Sequence, residues 1–291
     1  MDIILPYVNC NDEEWKIRYN KSFTIPSFSI NRYRDTGLLK YLLRSIDENM
    51  QFIENVFIVV QMKSQIPEWM NTNNVKIVYH KDYIPQLFLP TFNSNVIEMF
   101  FNEIKDLSEQ FIITNDDIIF LKQQKSTNYF RDNRPVLKIQ NINESEFEKL
   151  YGCHKSSIKI FQELCNTKEM YKNWHLPSPL LKSVMNEVWS LLKDKIYLNL
   201  IDSRIRKLTD VNWYLFEMYQ IYKNITINDS ELNTNGSIRI KDDTTIDEID
   251  NIFDKSDVIC FNDAYVNNDK NMQYIINRLD KIFNKKSKFE L

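Results

Sequence analysis

Five short runs, "DIILPYV" (2–8), "NVFIVVQ" (55–61), "VKIVYH" (75–80), "FIITN" (111–115) and "DVICFND" (257–263), are β-branched and apolar on both faces. A strand without a polar face must be covered on both sides, which is the condition of a strand in a parallel sheet sandwiched between helices. Amphipathic helices fall between these runs: Leu39, Leu42, Leu43 and Ile46 share one helical face, and Val96, Ile97, Phe100, Phe101, Ile104 and Leu107 share another. The order strand, helix, strand, strand, helix, strand predicts an α/β fold with a doubly wound, mostly parallel sheet. From about 145 to 225 the pattern is helical only, with Ser178 as N-cap and Pro179 in the first turn of "SPLLKSVMNEVWSLL" (178–192). The expected organisation is an α/β domain of residues 1–144 and 248–291, interrupted at 145–247 by a helical lobe and loops. Segments 122–146 and 224–247, polar and rich in Asn, Asp, Ser and Lys, read as loops.

Composition removes several classes of function. Lys plus Arg is 37 against 40 for Asp plus Glu, a net charge of −3, so nucleic acid is not an expected partner. The chain holds only 3 glycines, which excludes a Gly-rich phosphate loop. Cys10, Cys153, Cys165 and Cys260 have neither disulfide nor metal spacing and read as reduced and buried, which points to the cytoplasm. The opening "MDIILPYVN" has no basic leader and no run is long enough to cross a bilayer, so neither a signal peptide nor a transmembrane segment is expected.

The stretch "QFIITNDDIIF" (110–120) sets Asn115, Asp116 and Asp117 between two apolar runs. In sheets of this kind ligands bind beyond the carboxyl ends of the strands, near the point where strand order reverses. Asn9 and Asp12 follow the first strand, Asn115 to Asp117 the fourth, and Asn262 with Asp263 the last. Any one of these is ordinary turn chemistry. Together, their oxygen ligands suit a hard cation, Mg2+ or Mn2+, facing a nucleotide diphosphate.

In order along the chain, "DIILPYVNCNDEEW" (2–15), "RYRDTGLLKYLLRSI" (32–46), "IPEWM" (66–70), "LPTFNSNVIE" (89–98) and "LSEQFIITNDD" (107–117) resemble the first two signature regions of the Stealth family. "WHLPSPLLKSV" (174–184) with "SRIRKLTDVNW" (203–213) is similar to the third, and "VICFNDAY" (258–265) with "FNKKSKFE" (283–290) to the fourth, so the likeness runs nearly end to end. The family comprises sugar-1-phosphate transferases of bacterial capsule synthesis and the alpha/beta subunit of the lysosomal GlcNAc-1-phosphotransferase. The Asn, Ile and Lys richness agrees with a bacterial, AT-rich source. The pattern is broken where Cys10 replaces a glycine, and where Leu38 and Leu42 replace a Glu and a Ser. Those positions bear on donor-sugar identity.

The resemblance implies a nucleotide-sugar-transferase-like sheet and a reaction. A hexose-1-phosphate such as GlcNAc-1-phosphate would pass from a UDP-sugar to a hydroxyl of a glycan acceptor, forming a phosphodiester and releasing UMP. Such chemistry needs a base for the hydroxyl and cations for the phosphate oxygens. His175, in the family's His-x-Pro motif with Pro177, is the candidate base. Arg206 is the candidate phosphate clamp, with Arg32, Arg34 and Arg44 as further cations and Asp35 beside them. Arg44 reads equally as an ion-pair residue on a helix face. Asp117 is the expected metal ligand, completed by Asp263 with Asn262, and Asp116 would orient a ligand or the donor ribose. Asn93, Ser94 and Glu98 would contact the donor, although Asn95 with Glu98 also reads as a helix capping box. Asn9 and Asp12 join the substrate-binding set, whereas His80 and His154 have no assigned role. A glycosyltransferase releasing UDP and a non-catalytic nucleotide-sugar-binding protein are the alternatives. Capsule synthesis implies work at the inner face of the membrane, with peripheral contact through "KKSK" (285–288).

Overall fold

The computed structural model of the chain describes residues 1–23, 30–263 and 269–291. Ala264 and Tyr265 of the fourth signature stretch lie outside the described residues. The chain begins with β1 (Asp2–Pro6), α1 (Glu13–Ser22) and α2 (Leu38–Asn49). Then come β2 (Asn55–Val60), β3 (Lys76–Tyr79), the single turn α3 (His80–Tyr83), α4 (Ser94–Met99), β4 (Gln110–Ile113) and β5 (Ile118–Phe120). A middle stretch follows with β6 (Phe130–Arg131), β7 (Arg134–Leu137), α5 (Glu144–Glu148), α6 (Gly152–Cys165), β8 (Ser178–Leu181), α7 (Lys182–Leu200) and α8 (Tyr214–Tyr222). Last are β9 (Ile227–Asn228), β10 (Ser237–Ile240), α9 (Ile246–Lys255), β11 (Val258–Asp263) and α10 (Asp269–Ile282).

The central sheet has the order β3-β2-β1-β4-β8, parallel except for β8. The two apolar faces of each strand serve two cores. Ile4, Phe57, Val59, Phe111 and Ile113 pack on one side against residues of α6, α7 and α8. Ile3, Leu5, Val56, Ile58, Val60 and Ile112 pack on the other against α2 and α10. This is the alternation of side chains across a strand, applied to strands with no polar face. Leu39, Leu42, Leu43 and Ile46 of α2 are all within 2% of full burial, the face expected from their spacing. Leu38 and Leu42, which break the family pattern, are 1% and 0% exposed and belong to this core.

Four expectations change. The second amphipathic run is not one helix: α4 ends at Met99, Phe101–Glu103 form a single 3-10 turn, and Ile104 and Leu107 are buried beyond it. "SPLL" does not open a helix. It forms β8, the antiparallel edge strand of the central sheet, with Pro179 opposite Ile112, and α7 starts only at Lys182. An edge strand tolerates a proline that a central one would not. The stretch 257–263 forms β11 of a separate sheet, β10-β11-β5, so the last strand does not extend the central sheet. The polar segments read as loops contain β6, β7, β9 and β10. Their order comes from tertiary approach. At Gly236 an added Cβ would stand 1.7 Å from the Val258 carbonyl oxygen, so only glycine lets its own carbonyl accept from Cys260 N–H at 2.6 Å.

Candidate active site

Register, more than any single loop, brings the polar residues together. The chain leaves the central sheet at Ile113, turns through Asn115, Asp116 and Asp117, and enters the second sheet as β5. The amide of Thr114 donates to Ile4 O at 3.0 Å, so this turn sits beside the end of β1. Strand β11 runs antiparallel to β5 with Cys260 opposite Ile118, and Phe261 N–H donates to Asp117 O at 2.9 Å. Asn262 and Asp263 therefore arrive where the acids turn. Antiparallel pairing of Ile113 with Ser178 likewise delivers His175, three residues before β8, to the same point. His175 has φ +52°, a conformation uncommon for a side chain of this size, and its N–H donates to Asn173 Oδ1 at 3.0 Å. Asn262 Nδ2 lies 3.3 Å from His175 Nε2. An amide N–H can only donate, so Nε2 is the nitrogen that faces this donor.

A second pair of segments closes the cleft. Asn93 caps α4 by accepting from Asn95 N–H at 3.0 Å, so the cap sits two residues before the position expected. Its Nδ2 donates to Asp210 Oδ2 at 2.7 Å and to Ser203 O at 2.9 Å. Asp210, fully buried, also accepts from the Ser203 hydroxyl and, at 2.8 Å, from Lys207 N–H. This carboxylate folds the 203–210 loop over α4, and Arg206 of that loop donates through Nη2 to Ser94 Oγ. The Nε of Arg206 is buried without a partner.

The result is a cavity of about 490 Å3 at the carboxyl ends of the parallel strands. Of the expected residues, Asp116, Asp117, His175, Arg206, Arg32, Ser94, Glu98 and Asn262 line it. Its electrostatics are those of a low-polarity site. Burial, then Asp117 and Asp35, push the Asp116 carboxyl well above the carboxylate range. Burial also raises Asp117, with His175 and Cys260 pulling the other way, and its Oδ1 is buried without a hydrogen-bond partner. Glu98 is pushed up to about 7 by burial, a shift moderated by Arg206.

The other expected residues sit behind or beside the cavity. Asp263 is held by Arg34, which also reaches Asp269 at 3.1 Å. Asp35 accepts from Tyr7 Oη and from Gly37 N–H, both at 2.8 Å. Asp12 caps α1 through Trp15 N–H at 2.7 Å, and Asn9 Oδ1 accepts from Asn11 N–H at 2.8 Å. Asn93 is spent on Asp210. Arg44 does not line the cavity: it is 8% exposed, forks onto Glu290 at 2.8 and 2.9 Å, and donates to Phe283 O at 2.7 Å. The ion-pair reading of Arg44 is the one its surroundings match.

The family model described as Stealth protein CR2, conserved region 2, matches residues 32–137. A capsular polysaccharide phosphotransferase, WcwK of Streptococcus pneumoniae, is 28% identical over an alignment that spans 100% of this chain and 98% of the relative. The chain is thus similar to the Stealth family in that family's second conserved region, and to capsular polysaccharide phosphotransferases along its length. A Haemophilus influenzae capsular polysaccharide phosphotransferase is 29% identical over 74% of this chain and 63% of its own length. SacB of Neisseria meningitidis serogroup A, also named a capsular polysaccharide phosphotransferase, is 28% identical over 100% of this chain and 57% of the relative. The matched region carries Arg32, Ser94, Glu98, Asp116 and Asp117 of the cavity, while His175, Arg206 and Asn262 lie beyond it. Gln61, His80, His154 and Arg239 also line the cavity and were not singled out as binding residues. For Gln61 and His80 the available signal was their place at the carboxyl ends of two parallel strands. No such signal marks Arg239, whose strand lay in a segment read as loop.

Proposed function

We propose that this chain transfers a hexose-1-phosphate from a UDP-sugar to a hydroxyl of a glycan acceptor in capsule synthesis, with release of UMP. The observation that carries the reading is the convergence of Asp116, Asp117, His175, Asn262 and Arg206 on one cavity, beyond the carboxyl ends of parallel strands. Support also comes from the relatives, which are named capsular polysaccharide phosphotransferases.

In the proposed reaction the acceptor hydroxyl attacks the β-phosphorus, its proton passes to His175 Nε2, and the bond from that phosphorus to the bridging oxygen of UMP breaks. The sugar keeps its bond to the phosphate. Asn262 fixes the histidine ring by its 3.3 Å contact to Nε2 and yields that nitrogen to the hydroxyl. Arg206, with Nε unspent inside the cleft wall, is suited to the oxygens of the transferred phosphoryl group.

Among the described residues no cluster of three or more His, Cys, Asp and Glu is arranged to hold a metal, so a divalent cation would rest on Asp117 with substrate oxygens and, once released from Arg34, Asp263. Asp117 offers a buried carboxylate oxygen without a partner, and Asp263 brings a second carboxylate, at present shared with Arg34. Bound there, Mg2+ or Mn2+ would neutralise phosphate charge. Incubation of the protein with UDP-sugars, Mg2+ and glycan acceptors, with UMP and UDP resolved by chromatography, tests the reading. UMP that appears only with both acceptor and metal is the expected product. UDP would establish glycosyl transfer instead, and nucleotide binding with neither product would leave a binding protein.

A further inference from the structure

Gln61 and His80 are the two residues common to the main cavity and to a second cavity of about 370 Å3. They are brought together by sheet register: Val60 of β2 pairs with Tyr79 of β3, and each residue is the next one along. Both side chains are more than nine-tenths buried, at 8% and 5% exposure. Each holds a buried polar atom with no hydrogen-bond partner, Oε1 of Gln61 and Nδ1 of His80. The orientation of Gln61 is fixed, because its Nε2 donates to Thr91 O at 3.0 Å. Its Oε1 is therefore a committed acceptor that a ligand N–H or O–H would satisfy. Buried polar atoms left unpaired are uncommon in folded proteins, and two on adjoining strand ends, in side chains that line both cavities, point to a ligand.

The position argues against a role in the chemistry itself. Strands β2 and β3 are two and three places from β4, which puts these side chains roughly 10–14 Å across the sheet from the Asp116–Asp117 turn at the usual strand spacing. That is the scale of a nucleoside diphosphate laid across the strand ends. Around them the second cavity offers Leu89 and Pro90 as apolar walls and Arg18 as a planar cation able to stack on an aromatic ring. Uracil presents a single ring N–H, at the imide nitrogen, once its other nitrogen is linked to ribose. We infer that Gln61 and His80 bind the base of the nucleotide donor, Gln61 Oε1 accepting from the uracil imide N–H and His80 Nδ1–H donating to a neighbouring carbonyl oxygen. This inference rests on the UDP-sugar reading and adds to it the residues that select the base.

The test is calorimetric titration of the full chain with UMP and with UMP methylated at the imide nitrogen, then of the Gln61→Leu variant with both. The methyl group removes the N–H and leaves the acceptor buried and unmet, so the unmodified protein should bind the methylated nucleotide about tenfold or more weakly. Gln61→Leu should bind both nucleotides weakly and alike. Equal affinity of the unmodified protein for the two nucleotides would overturn the base contact while leaving the donor reading intact, and needs no variant to fold. A Gln61→Leu variant that still discriminates would overturn the assignment to Gln61. Failure to bind UMP, CMP, AMP or GMP at all would overturn the donor reading along with it.

Discussion

His175 combines a left-handed backbone, an amide held by Asn173 and a ring nitrogen aligned by Asn262, an arrangement with a conformational cost that a surface histidine has no reason to bear. Its substitution by Ala is expected to lower the initial rate of transfer roughly 100- to 10,000-fold, the range of a lost general base, with the protein still folded by circular dichroism. A rate within a few-fold of the original would remove His175 from the chemistry. Asp117 lies in the same environment, with one oxygen unpartnered. Asp117→Asn keeps the shape and removes the charge, so it is expected to abolish metal-stimulated turnover and leave thermal stability unchanged or higher. The sequence made these two residues legible because their identity and place after a strand were enough. Arg44 was not separable from Arg32 in the same way, since a guanidinium on a helix looks the same whether it faces a phosphate or a buried glutamate.

Residues outside the cavity lining hold the cavity in shape. Asp210 gathers Asn93, Ser203 and the Lys207 amide at full burial, and through them sets Arg206 against Ser94. Asp210→Ala strands several buried donors and is expected to cost about 3 kcal/mol or more of unfolding free energy, read by urea denaturation, together with loss of activity. Arg44 forms the other clamp, pinning "SKFE" near the end of the chain. Burial alone would raise Glu290, yet Arg44 and the Ser287 amide hold its carboxyl at about 2. Arg44→Ala is expected to lose about 3–5 kcal/mol of stability, and transfer per folded molecule should persist. Lost activity at unchanged stability would instead restore the phosphate-binding role. Strand β8 illustrates why local sequence misled. Ser-Pro ahead of a long amphipathic run is the signature of a helix start, and only pairing with Gln110–Ile113, together with Gln220 Oε1 accepting from Leu181 N–H at 2.8 Å, makes it a strand. Both partners are more than 35 residues away in sequence.

At the scale of the whole molecule, the parallel sheet was readable because strands with two apolar faces admit one architecture, and both cores are found where that requires. The second sheet was not readable, since its partners β5, β10 and β11 come from three distant segments. Between β8 of the central sheet and α8, Glu217 is fully enclosed, bonded by Ser178, and pushed up to about 7 by burial. A carboxyl raised from 4.5 to about 7 in the folded state binds its proton more tightly there than when unfolded. Its contribution to stability is complete below about pH 4.5 and is lost as pH rises through about 7. Glu217→Gln removes that slope, so its stability relative to the original protein is expected to improve by about 2–3 kcal/mol between about pH 5 and about pH 8 in denaturant titrations.

The central claim is that phosphorus, and not the anomeric carbon, is the atom attacked. A UDP-sugar carrying heavy oxygen in the bridge between the anomeric carbon and the β-phosphorus decides this directly by mass spectrometry of the products. Attack at phosphorus keeps that bridge intact, so the label is expected in the glycan product and the released UMP is unlabelled. Label recovered in released UDP, with none in the glycan, would contradict the account.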